Sequence, residues 1–211
     1  MDLATVDHLL TTTRSVRKRL DLARPVEPEV IERCIEMAIQ APTGSNAQGW
    51  RFLVLTDPEL RAGIARLYKQ SFDLYLSPQG TPPSPQQARV RESSIYLAEH
   101  MHEAPVLILP CIEGRVENAG LMAQAALYGS ILPAAWSLML ALRARGLGSA
   151  WTTLHLRYEQ EAAALLGIPG NITQAALIPA AYLKGGDLKP ATRVPAHEIT
   201  YWNRWGETRS S

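Results

Sequence analysis

Hydrophobic spacing divides the chain into helices and short apolar runs. Residues 2–12 and 28–40 have helical periodicity, and Glu27 and Glu29 sit near the positive start of the second helix. Residues 51–56 form an apolar, branched run that predicts a strand. Asp57-Pro58-Glu59 then reads as an N-cap with proline at the first helical position, opening a helix to about residue 72. A helix at about 87–102, a strand at 105–112, strands at 149–154 and 175–183, and a helix at 158–166 between those last two complete the pattern. Helices and strands do not alternate strictly, which predicts an α+β fold rather than a doubly wound sheet.

Two stretches depart from this regularity. Residues 77–87 (SPQGTPPSPQQ) are rich in Pro, Gln and Ser and predict an exposed mobile loop, either a plain connector or a lid. Residues 119–142 carry no charge and are long enough to span a bilayer. Gln124, Ser130, Ser137 and Pro133 interrupt the stretch and the flanks lack a strong basic bias, so a central buried helix is the better reading.

At 211 residues, 46% apolar and 19% charged, the chain has the composition of one globular domain spanning 1–211. The 21 basic and 20 acidic residues leave a net charge of +1, with no electrostatic footprint for nucleic acid. Cys34 and Cys111 read as buried free thiols, and neither has metal-ligand spacing. No signal-peptide pattern opens the sequence, and a cytoplasmic protein with no membrane partner is expected.

Nucleophilic chemistry finds no support. There is no G-x-S-x-G, and the five histidines serve no obvious Ser or Cys elbow. His100 and His102 point to different sides of a helix and make a poor metal pair. Gly146-Leu147-Gly148 follows a helix and lacks a third glycine, so the dinucleotide-loop context is wrong.

Residues 41–50 (APTGSNAQGW) lie between the second helix and the first strand. Pro42 and Gly44 break the helix, and Thr43, Ser45, Asn46 and Gln48 could bond the edges of a flat heteroaromatic ring. Alone, this is an ordinary turn composition. Upstream, Arg14-Ser15-Val16-Arg17 sets two guanidiniums around a hydroxyl, a set able to grip phosphate.

Together, R-S-x-R and A-P-T-G-S-N-x-Q-x-W resemble the FMN-dependent nitroreductase family. Arg145–Thr152 (RGLGSAWT), Gly167-Ile168-Pro169 and the tail from Lys189 to Trp205 are similar to further family segments in the same order, so that roughly residues 5–205 fit. The resemblance implies a mostly antiparallel sheet flanked by helices, a long buried central helix and a C-terminal tail wrapping a partner subunit. It implies FMN as cofactor, NAD(P)H as co-substrate, and hydride transfer through flavin N5 to a nitroaromatic, quinone or related small acceptor. A flavin protein of the same fold acting in flavin breakdown, storage or sensing is the alternative.

By the same resemblance no side chain acts as a catalytic acid or base, because the cofactor carries the electrons. Arg14, Ser15 and Arg193 would meet the phosphate and ribityl end, and Arg17 the pyrimidine edge, where a cation supports the reduced ring. Pro42, Thr43, Ser45, Asn46 and Gln48 would face the flavin of the other subunit in a homodimer. The backbone around Thr152 and Thr153 would approach N5 and O4, with Gly148 relieving crowding there. Tyr68 and Lys69 are further candidates for ring or substrate contact. Trp50, Trp151, Trp136 and Met139 are expected in the core. The chain departs from the family pattern at Thr13 and Ala191, which implies fewer cations at the phosphate, and at Gly49, which stands in place of the usual proline.

Overall fold

The computed structural model describes residues 2–80, 82 and 84–209. Of the predicted loop 77–87, Thr81 and Pro83 lie outside the described residues. The described chain groups into two compact units, Arg14–Gly186 and a smaller one built from residues up to Thr13 and from Asp187 onward.

The larger unit is built around a five-stranded antiparallel sheet. Its strands are β1 (Trp50–Leu55), β2 (Val106–Glu113), β3 (Leu147–Ser149), β4 (Ile172–Gln174) and β5 (Ile178–Tyr182). The order is β1-β2-β5-β3, with β4 also paired to β2. Residues of β2 alternate between two cores, as a period of two requires. Val106 and Ile108 face a cluster containing Ile31, Cys34, Leu138, Met139 and Leu142. Leu107, Leu109 and Cys111 face a second cluster containing Ile64, Tyr68, Phe72, Leu97 and Ala162. Both faces of the sheet are therefore covered by helices, and β2 is an apolar run rather than an alternating one.

In chain order the helices are α1 (Leu3–Thr12), α2 (Pro28–Ala38), α3 (Pro58–Leu76), α4 (Pro85–His100), α5 (Leu121–Ala144) and α6 (Glu159–Leu166). The Asp57 side chain accepts from Glu59 and Leu60 N–H at 2.9 Å each, capping α3 as expected. Ser84 caps α4 and Pro85 occupies its first turn, so that helix starts inside the stretch expected to be irregular.

Helix α5 is the one described helix apolar and long enough to cross a membrane. Its buried face runs from Ser130 to Leu142 and packs on α2 and β3. The first turn differs from the expectation of burial on all sides: Leu121 and Met122 are 81% and 85% exposed. Trp136 is also partly exposed, whereas Met139 is in the core.

The last predicted strands are shorter than expected. Of the run 175–183 only Ile178–Tyr182 forms a strand, β5, while β4 (Ile172–Gln174) lies ahead of the run, and Pro110 of β2 sits opposite the gap between the two. The Pro110 carbonyl accepts from Ala175 N–H at 2.9 Å, but its nitrogen has no proton to return. The run 149–154 leaves the sheet after Ser149 and enters a 3₁₀ turn at Leu154–Tyr158.

In the smaller unit, His8 Nε2 lies 2.6 Å from Asp187 Oδ2. Tyr201 and Trp205 pack with ring centroids 4.9 Å apart. Val194, Ile199, Trp202 and Trp205 are exposed.

Candidate functional site

The polar residues singled out in the larger unit gather at two corners of the sheet. At the first, Ser15 runs parallel to Ser149 on the outer side of β3. Val16 N–H donates to Ser149 O at 2.8 Å, and Trp151 N–H donates to Ser15 Oγ at 3.4 Å. No acceptor takes the hydroxyl proton of Ser15 among the described residues. Arg14 is exposed beside it, while Val16 turns inward.

Arg17 is half-buried between α3 and α4. Its Nη1 donates to Ser93 Oγ at 3.4 Å, and it interacts electrostatically with Tyr68. Burial pushes the guanidinium below its ordinary value and the Tyr68 hydroxyl up to about 12. No carboxylate pairs with Arg17 among the described residues. A partly desolvated cation without a counter-ion is costly unless an anion or a strong acceptor completes it. Lys69, by contrast, is already paired with Asp73 at 2.7 Å.

Gly148 is required here, though by the protein's own side chains. A Cβ on it would stand 2.6 Å from Leu183 Cδ2, 3.0 Å from Leu20 Cδ2 and 3.2 Å from Val16 Cβ. The two threonines differ. Thr152 is buried, and its N–H and hydroxyl both donate to Leu177 O, at 3.0 and 2.8 Å. Its carbonyl accepts Leu177 N–H at 2.8 Å, so Thr152 has no donor left to offer a ring. Thr153 is exposed, and neither its N–H nor its hydroxyl has a hydrogen-bond partner among the described residues. Beneath it, His155 is fully buried and neither ring nitrogen has a partner among the described residues. Burial pulls its pKa down to about 4, against an opposing pull from Glu159.

The second corner is the loop ahead of β1. Ser45, Asn46 and Gln48 have φ of 52°, 53° and 51°. Three non-glycine residues in the left-handed region within four positions store backbone strain, and such strain gathers at functional sites. The loop is held by Gly44 N–H donating to Ser130 Oγ at 3.1 Å and by Gln48 N–H donating to Thr43 Oγ1 at 3.3 Å. The Trp50 indole donates to Ser130 O at 2.8 Å. Gln48 Nε2 donates to Asn46 Oδ1 at 3.2 Å. Pro42, Ser45, Asn46 and Gln48 are exposed and Thr43 half-buried. Gly49 needs no special conformation, since a Cβ there would make ordinary contacts from 3.5 Å outward.

These corners are diagonally opposed. Ser15 lies outside β3 and the loop feeds β1 on the other edge, a separation of about 19 Å across four strand spacings. Along the strands, Trp50 lies opposite Ile112, while Ser149 leads through Ala180 to Val106, about 20 Å away. One chain does not bring its two candidate half-sites together. Arg193 lies exposed in the smaller unit, with Nη1 donating to Thr192 O at 3.3 Å.

Sequence reasoning missed Ser130, the anchor of the loop, and His155. The available signal for Ser130 was a hydroxyl inside an uncharged helix. Trp50 and Trp151 are packing residues, as expected. Cys34 and Cys111 are free and buried, and burial pushes the Cys111 thiol up to about 12, which keeps it protonated and unreactive. Among the described residues no group of three or more His, Cys, Asp or Glu could hold a metal.

Known proteins resemble this chain in sequence and in fold. The chain is 32% identical over 186 residues to iodotyrosine deiodinase of Drosophila melanogaster, covering 86% of this chain and 63% of that protein. It is 28% identical over 185 residues to iodotyrosine deiodinase 1 of Rattus norvegicus, with the same coverages. It thus spans just under two thirds of the length of these relatives. In fold it is similar to oxidized iodotyrosine deiodinase bound to FMN and 3-iodo-L-tyrosine, with TM-score 0.69 and 24% identity over 92% of this chain and 96% of that one. It is likewise similar to an FMN and NADPH-dependent nitroreductase from sphigopyxis sp. strain HMH, with TM-score 0.70 and 20% identity over 93% and 98%. The model of the nitroreductase family matches residues 10–182, and the chain belongs to that family.

Proposed function

We propose that this protein is an FMN-dependent oxidoreductase that takes electrons from NAD(P)H and delivers them to a small aromatic or quinone acceptor. The observation that carries the reading is Arg17, a half-buried guanidinium with no carboxylate partner among the described residues, two residues along the chain from the Ser15 hydroxyl. That pair fits an extended ligand with both a polar ring edge and an anionic end. Family membership makes FMN the ligand of choice.

Ser15 would donate to the ribityl or phosphate end, with Arg14 supplying charge. Arg17 would hold the pyrimidine edge and oppose negative charge developing there. Thr153, with its free donors, takes the ring-facing role better than Thr152. Bound FMN would supply the two-electron chemistry, and these residues bind it, orient it and stabilise its charge.

The strained loop would complete the site of a second subunit. Opposed corners in one chain become adjacent across a two-fold axis, so an isologous homodimer with two equivalent sites follows. Exposed Ile199, Trp202 and Trp205 are apolar anchors for such an interface.

The test is an anaerobic visible spectrum of FMN-loaded protein before and after each nicotinamide. Bleaching by NADH or NADPH supports the reading. Bound flavin that neither bleaches would favour the alternative of flavin breakdown, storage or sensing, and failure to take up FMN would sink both. Because named relatives are iodotyrosine deiodinases, the acceptor panel includes 3-iodotyrosine beside nitroaromatics and quinones.

A further inference from the structure

A cavity of about 770 Å³ opens between the end of α3 and the start of α4. Its volume lies in the range of small-molecule sites. Phe72, Tyr75 and Leu76 line one side, and Val90, Arg91 and Ser94 the other. Tyr75 and Val90 are each 51% exposed, so large apolar surface faces the opening. The cavity begins where the Arg17 corner ends: Ser93, which accepts from Arg17, precedes Ser94 in its wall. Tyr68, beside Arg17, stacks on Phe72 with centroids 6.2 Å apart. A ring held at Arg17 would have this space as its neighbour.

The charge of the wall is one-sided. No Asp or Glu lines the cavity, and Arg91 is its one charged lining residue among those described. Arg91 Nη1 donates to Gly80 O at 2.7 Å. That contact uses one of five guanidinium donors, and no described carboxylate pairs with the group. An aromatic wall with an unneutralised guanidinium discriminates by ligand charge: it favours an anion, tolerates a neutral ligand and disfavours a cation.

We propose that this cavity selects aromatic acceptors carrying one anionic group, with Arg91 as the residue that reads the charge. The assignment deepens the proposed oxidoreductase reading by naming its substrate class. It adds a specificity residue on α4, outside the short motifs quoted above for the family.

Calorimetric binding to the FMN-loaded protein tests it with three probes of one shape: 4-nitrobenzoate, 4-nitrobenzamide and 4-nitrobenzylamine. The expected order is carboxylate, amide, amine, with the carboxylate about tenfold tighter than the amide. Arg91→Gln should remove that tenfold preference and leave amide affinity unchanged. Arg91→Lys should restore part of it, which a purely structural tether to Gly80 would not do. Equal affinities, tighter binding of the amine, binding of none of the three, or a preference that survives Arg91→Gln would each overturn the assignment. Binding with this order in a protein that nicotinamides do not reduce would instead leave the cavity assignment standing and remove the redox reading.

Discussion

The two polar corners of the sheet are built on opposite principles. At the β3 corner Ser15 and Val16 pair with the strand, and what is unsatisfied is a charge: Arg17 sits half-buried with no carboxylate partner among the described residues. At the β1 corner no charge is held, and what is unsatisfied is the backbone: Ser45, Asn46 and Gln48 all stand in the left-handed region. Each corner thus carries a different cost, one electrostatic and one conformational. A ligand that lowers both at once would have to meet corners about 19 Å apart across the sheet in one chain, which is why a second copy enters the reading.

The largest expected effect is acid sensitivity beneath the charged corner. His155 titrates near 6.5 when unfolded and at about 4 when folded, so between those values the unfolded chain holds more protons. Stability should be fully present above pH 6.5 and fall by about 3 kcal/mol as pH drops to 4. Urea titrations across that range check it, and His155→Leu should flatten this part of the slope. An unchanged slope in the variant would remove the buried histidine from the account.

Arg17→Gln comes next. It should weaken FMN binding about a hundredfold. The same change should stabilise the FMN-free protein by on the order of 1 kcal/mol, because the unpaired charge is gone. Fluorescence titration and thermal melts read the two signs, and loss of both together would mean that Arg17 is merely structural.

Gly148→Ala should destabilise by about 2 kcal/mol, by forcing a methyl against Leu183 and Leu20. Chemical denaturation measures it. Smallest is Ser45→Gly, which relieves one left-handed residue and should raise stability by up to about 1 kcal/mol. If the loop completes a neighbour's site, that variant should also bind FMN more weakly, through lost preorganisation.

The same contrast marks what the sequence revealed. The charged corner was legible because R-S-x-R puts its chemistry in side chains, and side chains are what a sequence spells. The loop was legible as a turn, but not its strain, since left-handed φ at Ser45, Asn46 and Gln48 follows from tertiary anchoring rather than residue type. Helices α2, α3 and α6 followed their periodicity and caps to within a turn. The late start of β5 at Ile178 was hidden because Pro110, whose carbonyl takes the Ala175 N–H, lies some 65 residues away on another strand. The occupation of the Thr152 donors by Leu177 was hidden for a related reason: no local pattern announces that pairing.

Ser130 has a consequence for α5 as a whole. That helix is apolar nearly all round, so burial alone weakly fixes its rotation about its own axis. Ser130 supplies a phase: its hydroxyl takes Gly44 N–H and its carbonyl takes the Trp50 indole. A slip of one residue would turn the helix by about 100° and carry both acceptors away from their donors. The strained loop therefore acts as an indexing pin. By locking the angle of α5, it decides that Met139 and Leu142 point inward while Tyr128 and Trp136 look out.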